Sequence, residues 1–94
     1  MRLAAAALVA VLSGAASVAA QAPLPVSEVA QGVFVHQGPH EDFTPANGGG
    51  IANLGFVIGG HSVAVIDSGG SRAEGERLLA AIRARTGLPV SHVI

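Results

Sequence analysis

Val63-Ala64-Val65-Ile66-Asp67-Ser68-Gly69-Gly70 is the stretch on which the reading of this chain turns. Four consecutive apolar residues, three of them β-branched, run into an aspartate, a serine and two glycines. A short continuous apolar run bounded by turn residues reads as a strand covered on both faces. Asp67 stands at its end, just ahead of Ser71-Arg72-Ala73-Glu74, which has the Ser-x-x-Glu pattern of a helix capping box.

Downstream of the stretch the pattern is helical through Arg85. Glu74 and Glu76 lie near the expected N-terminal end, and Arg83 and Arg85 near the C-terminal end, both placements that suit the helix dipole. Leu78, Leu79 and Ile82 form the expected apolar stripe, and Gly87 with Pro89 is expected to end the helix. Val90-Ser91-His92-Val93-Ile94 then reads as a second buried strand with an unpaired edge.

Upstream, Ile51 to Ile58 and Ser62 to Ile66 read as the arms of a hairpin. Gly59-Gly60-His61 sits at its turn, the glycines supplying positive φ. Glu28 to Gln37, with Val29, Val33, Phe34 and Val35, reads as one short strand with Gly32 inside it. Between strand and hairpin, Gln37 to Gly50 is a long loop holding Pro39, Pro45 and Gly48-Gly49-Gly50. Loops of that length are usually mobile or functional. One helix covers one face of a sheet, so a doubly apolar strand expects a further layer. That expectation, with the short second strand, reads as a fragment of a larger protein.

Composition narrows the function classes. The chain has 94 residues, no cysteine and a net charge of −1. Disulfides and thiolate chemistry are therefore excluded. There is no lysine, and Arg72, Arg77, Arg83 and Arg85 all fall on the expected helix. Without a basic patch interleaved with aromatics, nucleic acid is not an expected partner. Met1-Arg2, the apolar run from Leu3 to Leu12 and the small residues ending in Val18-Ala19-Ala20 have the three-part layout of a secretory signal peptide. Residues 1–20 are thus expected to be cleaved after Ala20, giving a periplasmic or secreted protein with no permanent membrane anchor. Residues 21–27, with Pro23 and Pro25, read as an extended leader. Residues 28–94 are expected to form the folded part.

Asp67 is the leading candidate for chemistry, because ligands in open α/β architectures bind outside strand ends. Equally, its carboxylate can cap the turn by accepting from the amides of Ser68 to Gly70. His36 and His40 are four apart and Glu41-Asp42 follows, the outline of an isolated metal site. Four-residue spacing aligns two side chains only on a helix, and Pro39 breaks one, so solvated loop residues are the simpler expectation. His61 is expected to be exposed at the hairpin tip. His92 is expected among buried neighbours on the last strand.

Three families resemble parts of this pattern. Asp67-Ser68-Gly69-Gly70 resembles the nucleophile motif of chymotrypsin-like serine proteases, which would make Ser68 the nucleophile, but Ile66 stands where that family has glycine. Gly55-Phe56-Val57-Ile58-Gly59-Gly60 followed by Val63 to Gly69 resembles a retropepsin-type aspartic protease, with Asp67 catalytic and Ser68 supporting it. That family has strand where Ser71 to Arg85 reads as helix. Over residues 28–94, the order of elements is similar to the N-terminal portion of exported metallo-β-lactamase-fold hydrolases. The likeness is to the glyoxalase II-like branch and to the zinc hydrolases linked to periplasmic quinoprotein systems. It is carried by the Gly-rich loop, Ile51-Ala52-Asn53-Leu54-Gly55-Phe56, the Val63–Gly69 strand and turn, the helix and Pro89 to Ile94.

The last resemblance implies an α/β fold class: the strand, hairpin, helix and strand that open an αββα sandwich, incomplete here. It also implies a zinc-dependent hydrolase using metal-activated water on an ester, thioester or lactam-type bond of a small-molecule substrate. Asp67 would shape the metal site from beneath without binding metal, and the Gln37–Gly50 loop would border its mouth. The family's His-x-His-x-Asp-His metal motif is absent from this sequence. No catalytic, cofactor-binding or metal residue is therefore assigned, and the chain alone is expected to be inactive and to hold no zinc. A small exported module without chemistry is the remaining alternative.

Overall fold

The computed structural model describes residues 22–94; the expected leader at 1–20 lies outside them. Five strands and one helix follow in the order β1 (Ser27–Ala30), β2 (Val33–His36), β3 (Leu54–Ile58), β4 (Val63–Ile66), α1 (Arg72–Arg83) and β5 (Val90–Val93). The strands form one sheet in sequence order, β1 to β4 antiparallel and β5 parallel to β4. A parallel neighbour needs a crossover, and α1 supplies it.

The fold class is not the αββα arrangement implied by resemblance. Four such layers need two sheets with helices on both outer faces. The described residues make a single mixed sheet, mostly β, with one helix of 12 residues on one side. The core lies between them. Phe34, Leu54, Phe56, Val63 and Val65 point from the sheet toward Leu78, Ala81 and Ile82 of the helix, all buried. Phe34 and Phe56 stack with ring centroids 4.8 Å apart, and the Arg85 guanidinium lies 4.8 Å from the Phe34 centroid.

Strand alternation explains why β4 is covered on one face only. Val63 and Val65 face α1 and are buried, whereas Ala64 is half-buried and Ile66 is 49% exposed. Register places Val33, Val35, Gly55, Val57, Ala64 and Ile66 together on the open face. The apolar run thus reflects β propensity on that side rather than a second layer over it.

Several boundaries differ from expectation for local reasons. Glu28–Gln37 is not one strand but two, because Gly32 takes φ +74° and reverses the chain into the β1–β2 hairpin. In the β3–β4 turn, neither Gly59 nor Gly60 has positive φ; the turn closes through Gly59 N–H to the Ser62 carbonyl at 2.9 Å. Leu79 is 45% exposed and Ala81 takes its place in the helix's buried stripe. The helix ends at Arg83, ahead of Gly87, and the Arg83 guanidinium donates to the Leu88 carbonyl at 2.7 Å. The leader is extended but anchored: Leu24 is 4% exposed, and its N–H donates to the Arg77 carbonyl at 3.0 Å.

Candidate functional site

The corner between β4 and α1 concentrates the chain's unusual backbone. Asp67 has φ +61°, the left-handed region that non-glycine residues rarely occupy, and Gly69 has φ +95°. Asp67 Oδ1 accepts from Gly69 N–H at 3.0 Å, an Asx turn that stabilises this conformation locally. Of the two roles open to Asp67, the turn cap is therefore present, and the residue is still exposed. Its N–H donates to the Ile94 carbonyl at 2.8 Å, while Ile94 N–H donates to the Val65 carbonyl at 2.8 Å. The C-terminal ends of the two parallel strands thus meet at Asp67.

The Gly-rich loop closes over the same corner. Asn47 organises it: its Oδ1 accepts from Thr44 N–H at 3.0 Å and from Gly49 N–H at 3.0 Å, and its Nδ2 donates to the Asp42 carbonyl at 2.8 Å. Gly49 and Gly70 then meet backbone to backbone, an approach that any Cβ at position 70 would block. On the loop's outer side, Gly38, Pro39, His40, Glu41, Asp42 and Asn53 border an open cleft of about 520 Å³.

Ser71 caps the helix, its Oγ accepting from Glu74 N–H at 3.2 Å. The reciprocal half of the expected capping box is not made. The Glu74 side chain lies instead against Gly50 and Gly69, 7% exposed, with Oε1 buried and without a hydrogen-bond partner. This buried carboxylate is the site feature that sequence reasoning missed. Ser-x-x-Glu marks the cap, but nothing local signals that the glycines of a distant loop will seat the same side chain.

The histidines do not assemble. His36 is half-buried and donates from Nδ1 to the Pro25 carbonyl at 2.7 Å; His40 and His61 are exposed. His92 is exposed, correcting its expected burial, because β5 is an edge strand; its Nδ1 lies 2.8 Å from Ser91 Oγ. No hydrogen bond joins Ser68 to any histidine among the described residues, leaving the serine without a base. Nor do three His, Asp or Glu side chains converge there to hold a metal. With Asp67 Oδ1 and His36 Nδ1 engaged by the backbone, these residues do not fit a zinc site of their own. No helix among them is long and apolar enough to cross a membrane.

The chain matches no family model, and no curated protein matches it.

Proposed function

We propose that this chain is the amino-terminal part of an exported metal-dependent hydrolase, and that its role is to build the floor and rim of a site whose metal ligands it does not carry. The observation that carries the reading is the Asp67–Ile94 hydrogen bond. It joins the C-terminal ends of parallel β4 and β5, the edge where ligands collect in sheets with βαβ crossovers. Chain continuing beyond β5 in a longer protein emerges beside Asp67 and beneath the Gly-rich loop. Asp67 then positions that segment through the backbone, and the Gln37–Gly50 loop borders the substrate. The proposed substrate class is a small ester, thioester or lactam, hydrolysed by water that zinc activates.

The aspartic-protease alternative is disfavoured by α1, which occupies residues that reading needs as strand. The deciding experiment is to read the coding DNA through and past codon 94. A frame that continues into His-x-His-x-Asp-His supports the hydrolase. A stop after codon 94 with no such motif in any frame removes its basis and leaves a small exported module.

A further inference from the structure

Beneath the Gly-rich loop lies a second cavity, of about 310 Å³, bordered by Leu24, Pro25, His36, Asn47, Glu74 and Arg77 among others. Glu74 lines it with a carboxylate that is 7% exposed and whose Oε1 has no hydrogen-bond partner. A buried carboxylate oxygen left without a donor is costly, so it calls for one. The space around it is kept open by glycine. A Cβ at Gly50 would stand 2.7 Å from Glu74 Oε2, and one at Gly69 would stand 3.0 Å from Oε1.

The neighbouring protein groups do not supply the donor. His36 gives its Nδ1 proton to the Pro25 carbonyl, which leaves Nε2 an acceptor in the neutral ring. Arg77 gives Nε to the Ala22 carbonyl at 3.1 Å, and its terminal nitrogens have no partner among the described residues. One turn of helix therefore presents an unpaired carboxylate and a guanidinium with free donors, three residues apart and facing one cavity. Side chains at that spacing start about 5–6 Å apart.

We propose that this cavity binds a small zwitterion of amino-acid size, its ammonium on Glu74 and its carboxylate on Arg77. The volume stands at the small end of ligand pockets. Leu24, Pro25 and Pro39 provide apolar walls for a short carbon chain. A simple cation meets Arg77 in the same cavity and a simple anion meets Glu74, so only a ligand bearing both charges matches both. One carboxylate without two further ligands does not make a metal site.

The test is a titration of the full chain with 4-aminobutyrate, butylamine and butyrate, followed by amide proton–nitrogen correlation spectra. The expected result is saturable shifts at the amides of Gly50, Gly69 and Glu74 with 4-aminobutyrate. Butylamine and butyrate are each expected to bind about tenfold more weakly or worse. Glu74→Gln and Arg77→Gln should each weaken 4-aminobutyrate by about the same factor, whereas His61→Ala at the far hairpin turn should not. Absence of saturable shifts, butylamine binding as tightly as 4-aminobutyrate, or an unweakened Glu74→Gln overturns the proposal. The three-ligand comparison on the unmodified chain holds whatever the variants do to folding. It is also independent of the hydrolase reading, which concerns the opposite side of the loop.

Discussion

Gly49 and Gly70 touch backbone to backbone, so that a Cβ at position 70 would overlap the carbonyl group and Cα of Gly49. This contact fixes a polar loop against the strand–helix corner without any strand pairing. It makes the loop part of the folded unit and seats its next residue, Gly50, on Glu74.

Gly70→Ala should therefore destabilise the protein by about 1–3 kcal/mol, the usual cost of overpacking a closed contact. Gly60 provides the control: a Cβ there meets nothing within 4 Å and its φ is not positive. Gly60→Ala should be neutral or stabilising by up to about 1 kcal/mol. Urea unfolding of the two variants distinguishes them, and equal costs would mean the loop does not rest on the corner.

The helix start rests on one hydroxyl. Ser71→Ala removes the acceptor for Glu74 N–H and should cost about 1 kcal/mol, while Ser71→Asp should restore most of it. Helical circular dichroism followed through thermal unfolding reads both.

What the sequence made legible was local. Ser71, the acidic and basic ends of the helix, and the Phe56 and Val65 arms of the β3–β4 hairpin were visible because caps and strands are written in consecutive residues. The β1–β2 hairpin was hidden because Gln31-Gly32 gives a weaker turn signal than a glycine pair. The open side of β4 was misread because Ala64 and Ile66 are apolar on either account, and periodicity cannot separate a covered face from a bare one. Asp67 was found as a candidate, but its left-handed backbone and its tie to Ile94 depend on β5 lying parallel alongside. Glu74 was assigned to the cap alone because its burial depends on Gly50, which is distant in sequence.

One-sided coverage of β4 has a direct stability signature. Val65 is 5% exposed and Ile66 is 49% exposed. Val65→Ala should cost about 2 kcal/mol, and Ile66→Ala less than about 1 kcal/mol although it removes more carbon. Chemical denaturation of the pair checks this; equal or reversed costs would require a second layer over the open face.

Zinc is expected to leave this chain unmoved. With His36 Nδ1 held by Pro25 and no cluster of three ligand side chains among the described residues, titration calorimetry should show no tight binding. His36→Ala and His40→Ala should change nothing. Tight binding that either variant abolishes would establish a metal site in the Gln37–Gly50 loop and displace the proposed division of labour.

Asp67 carries two separable burdens, its left-handed φ of +61° and the hydrogen bond from Gly69 to its Oδ1. Asparagine tolerates the conformation and keeps an acceptor, so Asp67→Asn should shift stability by less than about 0.5 kcal/mol. Glycine adopts the conformation freely but has no acceptor, and should cost about 1 kcal/mol. Alanine loses on both counts and should cost about 2 kcal/mol. The order Asn, Gly, Ala in urea midpoints therefore reports turn geometry alone. If the proposed hydrolase is assembled from a longer chain, the same series should lower activity in that order, because Asp67 acts there by holding the corner in shape. An Asp67→Asn variant that folds normally yet loses all activity would instead make the carboxylate charge itself part of the chemistry.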